Sequence, residues 1–149
     1  MRLSLQVHYA ICGIFDLAYN GQQGYVRVGE IGERQGIPPR YLEQIFQRLR
    51  RAELIVGKRG PGGGYELARP PAEINLREVV EAVEGPLAEA DGWGQGLEGV
   101  GQNRPDFLWP EIAEGFARVL SDTTLENLCA KAARASVRRS NTSAYTYQI

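Results

Sequence analysis

The chain has 149 residues, of which 43% are hydrophobic, and its formal net charge is −1 at pH 7. This length can bury one core with a small appendage, and a near-neutral charge argues against indiscriminate binding to polyanions. Cys12 and Cys129 are too few for a disulfide framework, and the apolar run at residues 7–18 is interrupted by His8 and Asp16. We therefore expect a cytoplasmic protein with no membrane partner.

The first predicted element is a helix that begins near Ser4, a suitable N-cap, and ends near residues 20–21. Its expected buried face consists of Ala10, Ile11, Ile14, Phe15, Leu17 and Ala18. A short strand is predicted at residues 25–28, YVRV. A brief helix is predicted at residues 29–36, GEIGERQG, with Ile31 facing inward and Gly36 supplying the turn of a helix-turn-helix.

Residues 37–51, IPPRYLEQIFQRLRR, predict a strongly amphipathic helix that opens on two prolines. One face is apolar and comprises Tyr41, Leu42, Ile45, Phe46 and Leu49. The opposite face is polar and comprises Arg40, Glu43, Gln44, Gln47, Arg48, Arg50 and Arg51. A helix of this kind packs its apolar side inward and leaves the polar side exposed.

A hairpin is predicted next, with one strand opening at residues 55–56, the other at residues 65–67, and a turn, KRGPGGG, at residues 58–64. Between residues 38 and 59 there are six basic residues and two acidic ones, a net charge of plus four, although the whole chain carries minus one. Charge placed on both a helix and a turn favours two contacts to a nucleic-acid duplex, with the helix in the major groove and the turn at the backbone or the minor groove. The alternatives are an ordinary glycine-rich turn and a basic face that is only solvated.

In the second half of the chain, Asn75 can cap a helix with an apolar stripe at Leu76, Val79, Val80 and Val83. Residues 85–107 hold six glycines and little periodicity, which predicts a flexible loop. A long helix is predicted from Leu108. Because the preceding domain needs no further apolar stripe, we expect this helix to join two copies of the chain through Leu108, Trp109, Ile112, Phe116 and Leu120.

Thr123 and Glu126 form a candidate capping box for a last helix, in which Cys129 is expected to be a core residue. The tail beyond it is basic and then rich in Ser, Thr and Tyr, and we expect its end to be flexible or ordered by a partner. The predicted units are a DNA-binding domain at 1–84, a sensor-type loop at 85–107, a dimerisation helix and final helix at 108–136, and a tail at 137–149.

Residues 41–70, YLEQIFQRLRRAELIVGKRGPGGGYELARP, resemble the signature of the iron–sulfur cluster regulator (IscR-type) family of bacterial winged-helix transcription regulators. The stretches MRLSLQVHYAI, INLREVVEAVEG and TTLENL match that family too, so the resemblance covers roughly residues 1–130. It implies a mainly α fold with a small β-hairpin wing, built as a winged helix-turn-helix plus a long C-terminal dimerisation helix. It also implies a sequence-specific regulator, expected to be a repressor, that binds a palindromic operator as a homodimer and responds to iron–sulfur, redox or sulfur status.

The resemblance also assigns DNA contacts. Pro39, Arg40 and Tyr41 match positions that meet phosphates and base edges, Glu43 and Gln44 match the base-reading pair, and Arg59 with Gly60 matches the wing tip. Chemically, a carboxylate accepts from cytosine N4 and an amide pairs with adenine, while Arg48 and Lys58 suit phosphates. The family often has a hydroxyl residue where Pro38 or Pro39 stands, so the preferred site is expected to differ. An alternative role for Glu43 is a pair with Gln47 or Arg50 along the helix.

Cluster-binding members of the family carry three cysteines in the loop, but residues 85–107 contain none, and Ala90 stands where the first is expected. Either this branch lacks the cluster or cysteines have been substituted, and we expect no cysteine-ligated cluster in this chain. His8 and Cys12 are weak candidates for metal ligands, since with Asp16 they share one face of the first helix. The alternative is that Cys12 only packs in the core.

Enzymatic chemistry is not expected, because His8 is the single histidine and the chain has no GxSxG or Walker-type loop. The expected partners are double-stranded DNA and a second copy of the chain. A winged-helix interaction module that binds an acidic protein is the alternative. Basic residues on both helix and turn favour DNA over such a partner.

Overall fold

The structure is a computed structural model that describes residues 3–21, 24–87 and 103–140. In these residues it contains six α-helices, a short 3₁₀ helix (Pro71–Glu73) and one two-stranded antiparallel sheet. The elements are α1 (Leu5–Asn20), α2 (Val28–Gln35), α3 (Pro39–Arg51), β1 (Ile55–Lys58), β2 (Gly64–Leu67), α4 (Leu76–Glu84), α5 (Leu108–Asp122) and α6 (Leu125–Arg134).

Helix α1 begins and ends where the sequence predicts, and it lies at the centre of the fold against α2, α3, α4 and α6. The Ser4 hydroxyl accepts a hydrogen bond from the Val7 N–H, which satisfies one of the free donors of the first turn. The helix crosses α3 closely at Gly13, where a Cβ would lie 2.8 Å from Cε1 of Phe46. Ile11 and Phe15, expected to be buried, are only half-buried.

The predicted strand at residues 25–28 is wrong, because Val28 already begins α2. Val26 does form an isolated antiparallel bridge with Tyr65 of β2, with two N–H···O bonds of 2.8 Å. Gly36 ends α2 with a φ of +66°, a left-handed conformation that favours glycine and turns the chain into α3. The helix-turn-helix is therefore formed by α2 and α3.

Helix α3 has a buried apolar face and an exposed polar face, as its periodicity predicts. Its buried residues are Leu42, Ile45, Phe46 and Leu49. Tyr41, expected on the apolar face, is instead 42% exposed at the edge of the helix. The wing follows, with Ile55 opposite Leu67 and Lys58 opposite Gly64. The two strands include more of the predicted turn than expected, which leaves residues 59–63 as the connection.

A single core unites α1 to α4, the wing and the start of α6, because Leu125 of α6 is fully buried in the same cluster. The Leu125 N–H donates to the Ile74 carbonyl at 2.9 Å, which ties α6 to the chain before α4. Asn75 caps α4 in a capping box with Glu78, which confirms that cap. The predicted box at Thr123 and Glu126 is wrong: Thr124 and Asn127 form it instead.

Helix α5 packs on α4, and its buried residues are Ala113, Ala117 and Leu120. Leu120, which we expected at a surface between two copies, is 6% exposed and packs in a small cluster with Val7 and Val80 of its own chain. Our premise that the α5 stripe has no place within one chain therefore needs correction. One part of the stripe is covered by α1 and α4, and the remainder faces outward.

The first residues of the tail are packed on α1. The Tyr19 hydroxyl donates to the Val137 carbonyl at 2.7 Å, and the Ser140 N–H donates to Oδ1 of Asn20 at 2.6 Å. The Arg139 guanidinium lies 4.5 Å from the centroid of the Tyr19 ring. Residues 137–140 thus contact α1 of their own chain. The rest of the tail lies outside the described residues, so the expectation of a flexible or partner-ordered end stays a prediction.

Candidate nucleic-acid interface

The outward face of α3 carries polar side chains along its whole length. Its exposed residues are Arg40, Glu43, Gln44, Gln47, Arg48, Arg50 and Arg51. Within the described residues, Glu43 forms no hydrogen bond or ion pair with Gln47 or Arg50, which was the alternative role for this carboxylate. Glu43 and Gln44 are neighbours in the chain and point about 100° apart around the helix, so the outward surface offers an acceptor group and an amide side by side rather than in one direction.

At the start of α3, Pro38 is the N-cap and Pro39 the first helical residue, so a side-chain cap is not available there. Arg40 donates from Nη2 to the Tyr41 hydroxyl at 3.0 Å, and its guanidinium lies 4.8 Å from the Tyr41 ring centroid. A cation at a helix N-terminus is opposed by the helix dipole. An anion bound there would relieve that repulsion.

Near the other end of α3, Arg48 donates from Nη1 to Oε1 of Gln6 at 2.9 Å and to the Val83 carbonyl at 3.3 Å. Both acceptors are neutral, and within the described residues no carboxylate pairs with this guanidinium. The two contacts fix the direction of the side chain without neutralising its charge. Arg48 therefore remains able to bind an external anion.

The wing is held in a defined position beside α3. Tyr65 of β2 bridges to Val26 and meets Phe46 of α3 in an edge-to-face contact with ring centroids 5.2 Å apart. At the tip, Arg59 and Gly60 are exposed, and Gly60 has a φ of +86°. Because β2 contacts both α3 and the segment before α2, the cations of the wing and of the helix lie on one packed unit.

A buried ion pair that the sequence reasoning missed positions the helix-turn-helix. Asp16 is fully buried, and the Arg34 guanidinium donates to its carboxylate from Nε (3.0 and 3.1 Å) and from Nη2 (2.6 Å). Gln35 adds a third donor at 3.0 Å. The hydrogen bond to Asp16 raises the pKa of Arg34. An aspartate inside the apolar run AICGIFDLAY was the available signal, because a buried carboxylate needs a partner.

The weak metal candidates are not brought together. His8 is exposed, Asp16 is occupied by Arg34 and Gln35, and Cys12 is half-buried in a shallow apolar depression between α1 and α6. Burial raises the pKa of the Cys12 and Cys129 thiols, which disfavours the thiolate that binds metals. In the described part of the chain, no three His, Cys, Asp or Glu residues lie close enough to hold a metal ion.

These described residues do not fit a cysteine-ligated cluster. Ala90 and most of the sensor-type loop lie outside the described residues. The sequence nevertheless places no cysteine between residues 85 and 107.

None of the helices in the described ranges is long and apolar enough to cross a bilayer.

One exposed strip of α5 is apolar. Ile112 is 37% exposed and Val119 65% exposed, and Leu108 and Trp109 are half-buried. Phe116 is half-buried and packs against the cluster around Val80. Val119 keeps the helical spacing of the predicted stripe but was not among the residues expected to join two copies, although it lies seven residues after Ile112 and so on the same face of the helix.

Known proteins resemble this chain over most of its length. Residues 3–131 match the Rrf2 family, described as "Iron-dependent Transcriptional regulator". A putative HTH-type transcriptional regulator, ORF2, of Azotobacter vinelandii is 38% identical over 132 residues, which cover 88% of this chain and 80% of that protein. The HTH-type transcriptional regulator IscR of Photorhabdus laumondii is 38% identical over 129 residues, which cover 86% of this chain and 79% of that protein.

Solved structures agree. The structure of T. potens IscR is similar to this chain with a TM-score of 0.76 and 29% sequence identity. The match covers 99% of this chain and 96% of the T. potens IscR chain. CymR, the global cysteine regulator of B. subtilis, has a TM-score of 0.73 and 28% identity, covering 88% and 98%.

These similarities confirm the predicted winged-helix fold and the prediction of a regulator rather than an enzyme. They support a transcription regulator and not the alternative of a module for an acidic protein. The chain belongs to the Rrf2 family of transcription regulators.

Proposed function

We propose that two copies of this chain bind a two-fold symmetric DNA operator and repress transcription in the cytoplasm. Each copy places α3 in the major groove and the wing beside it. The observation that carries this proposal is the segregation of α3, whose apolar side chains are buried while its polar face stays exposed next to the fixed wing. A groove of DNA is polar, hydrated and lined by phosphates, so the exposed cationic face of α3 is complementary to it.

Sequence is read in this proposal by the middle of α3. Gln44 pairs with an adenine through N6 and N7, and Glu43 accepts from the N4 amino group of cytosine. Arg59 of the wing tip enters the adjacent minor groove, where a narrow groove attracts a guanidinium. Gly60 supports this position, because its φ of +86° lets the backbone turn sharply at the tip.

Affinity without sequence preference comes from phosphate contacts. Arg40 at the start of α3, Arg48 near its end and Lys58 on the wing are exposed and spread along the proposed interface. Pro39 and Tyr41 shape the start of the helix around Arg40. Each cation that neutralises a phosphate releases counterions, so binding is expected to fall steeply as the salt concentration rises.

The outward apolar face of α5 forms the dimer contact, centred on Trp109, Ile112 and Val119, with Leu108 and Phe116 at its edges. A two-fold dimer reads a palindrome, with half-sites separated by about 34 Å or a multiple of that distance. This proposal keeps the division into a DNA-binding unit at 1–84, a loop at 85–107 and dimerisation helices at 108–136.

The family description names iron and the similar CymR is the global cysteine regulator of B. subtilis, but this chain lacks the residues for a cysteine-ligated cluster in its loop. We therefore propose that the signal to which this regulator responds is not sensed by a cluster in the loop. The two half-buried thiols, whose pKa values are raised by burial, are poor starting points for redox sensing.

Gln44→Ala and Lys58→Ala separate base reading from phosphate contact. Gln44→Ala is expected to cost about 1–3 kcal/mol on the operator and little on random DNA, because it removes a base contact only. Lys58→Ala is expected to weaken all duplexes alike and to reduce the salt slope by about one. Fluorescence anisotropy with the operator and a scrambled duplex measures both effects. Glu43→Ala provides a second test of base reading. If both Gln44→Ala and Glu43→Ala left the ratio of operator affinity to scrambled-duplex affinity unchanged, α3 would not read the bases.

A further inference from the structure

A cavity of about 460 Å³ opens between α1 and α3, next to the base-reading residues. Leu5, Tyr9, Tyr41 and Ile45 line its apolar part. The Tyr9 and Tyr41 rings, whose centroids are 6.4 Å apart and whose planes are inclined by 32°, both belong to the wall of this cavity. Its volume and its mostly apolar lining are those of a site for a small organic molecule.

One end of this cavity is cationic. Arg48 lies there with Gln6 and Gln44. The Arg48 guanidinium uses only the neutral acceptors Gln6 and Val83, so its charge lacks a carboxylate partner within the described residues. A carboxylate on a ligand would supply that partner in a charge-assisted hydrogen bond. The two Gln amides can bond the remaining oxygen lone pairs.

The mouth of the cavity exposes apolar surface that the fold leaves uncovered. Leu5 is 63% exposed and Tyr41 is 42% exposed. An aromatic ring between them would remove both from water, while an anionic group reaches Arg48. The combination of flat apolar walls with one cationic end selects a planar aromatic carboxylate over a neutral ring or a small inorganic anion.

We infer that the cavity between α1 and α3 binds an aromatic carboxylate, and that this ligand competes with DNA. Competition follows from shared residues, because Gln44, Arg48 and Tyr41 line the cavity and belong to the proposed interface. A ligand carboxylate on Arg48 would occupy the charge proposed for a phosphate. This consequence rests on the proposed function, whereas binding of the ligand does not. It would give a regulator without loop cysteines a direct route from a metabolite to DNA release.

Binding is tested first without DNA. The probe is 2-naphthoate, with the neutral 2-naphthalenemethanol as a matched control, followed by ¹H–¹⁵N chemical shifts of the full chain. We expect saturable shifts around Leu5, Tyr9 and Ile45 at sub-millimolar to millimolar 2-naphthoate and much weaker binding of the alcohol. Equal affinities for the two molecules, shifts centred elsewhere, or no saturable shifts would each overturn the inference.

Variants locate the site. Arg48→Gln is expected to weaken 2-naphthoate about tenfold by removing the charge-assisted bond. Leu5→Ala is expected to weaken it about threefold by removing one apolar wall, while Leu3→Ala, an exposed leucine outside the cavity, should leave it unchanged. If Leu3→Ala and Leu5→Ala had the same effect, the cavity would not be the site.

Competition is then measured by anisotropy with the operator. We expect 2-naphthoate, but not the alcohol, to displace DNA from the unmodified protein, and to do so less effectively from Leu5→Ala. Ligand binding that leaves operator affinity unchanged would overturn the competition. The alternative is that a thymine methyl group of the operator fills the cavity. In that case the protein would not bind 2-naphthoate, and it would lose operator affinity when uracil replaces thymine. Loss of operator preference in Gln44→Ala tests the proposed function separately.

Discussion

Helices α3 and α5 are both amphipathic, yet their outward faces differ in kind. In α3, every large aliphatic side chain and Phe46 are buried, and the outward face carries arginine, glutamine and glutamate. In α5, Ala113, Ala117 and Leu120 are buried against the same chain, but Ile112 and Val119 remain 37% and 65% exposed.

This difference indicates what each face can bind. The outward face of α3 loses nothing by staying hydrated, so it suits a charged partner that is itself hydrated. The outward face of α5 gains free energy when it is covered, at roughly 25 cal/mol for each Å² of apolar surface removed from water. A second copy offers the same apolar face by symmetry. The following changes test whether the two surfaces are independent.

The largest effect is expected from charge placed on the outward face of α5. Ile112→Asp combined with Val119→Asp would bury unpaired carboxylates in the proposed dimer contact. Each carries a cost of several kcal/mol, enough to weaken dimerisation by more than about a hundredfold. Sedimentation velocity should then report a monomer. Because both side chains are partly exposed in the single chain, the fold should survive, which circular dichroism can check.

The matched control is Arg118→Asp, which places a carboxylate on the exposed charged side of the same helix. It should remain dimeric. A double variant that stays dimeric would move the interface away from α5. A monomeric Arg118→Asp would mean that the whole circumference of the helix is sensitive to charge, and the distinction between its faces would fail.

A smaller effect is expected from Asp16→Ala, which removes the buried carboxylate that holds α2 on α1. Breaking a buried pair costs about 3–5 kcal/mol, and the lower part of that range applies here because the Arg34 side chain is 27% exposed. Urea unfolding measures this loss. Asp16→Asn keeps the shape and part of the hydrogen bonding and should cost less. If Asp16→Ala unfolded at the same urea concentration as the unmodified protein, this pair would not support the helix-turn-helix.

The smallest effect is expected in the wing, where two glycines give a matched pair. Gly64 has a φ of +141°, and a Cβ there would lie 2.3 Å from the Val26 carbonyl oxygen. Gly62 has a φ of +72°, and its Cβ would meet no described atom within 4 Å. Gly64→Ala should therefore cost about 2–3 kcal/mol, and Gly62→Ala about 1 kcal/mol from backbone strain alone. Thermal unfolding compares them, and equal shifts would show that the bridge to Val26 does not hold the wing.

Much of the fold followed from local patterns. The Ser4 cap of α1, the Asn75 cap of α4 and the division of α3 into two faces depend on residues within a turn of one another. The errors lie where neighbouring residues offered similar local signals. Residues 25–28 have β-forming side chains, yet Val28 was recruited into α2, and Thr124 rather than the neighbouring Thr123 became the cap of α6.

The periodicity of α3 and its cluster of cations were set by the sequence alone, because side chains three and four residues apart must share a face whatever surrounds the helix. Tertiary structure decided the rest. Asp16 meets Arg34 across 18 positions, and Leu120 meets Val7 and Val80 from a different part of the chain. A carboxylate enters the interior only when packing brings a donor to it, and an apolar stripe is covered only where another element fits. Those conditions depend on how helices meet, so they could be found only in the folded chain.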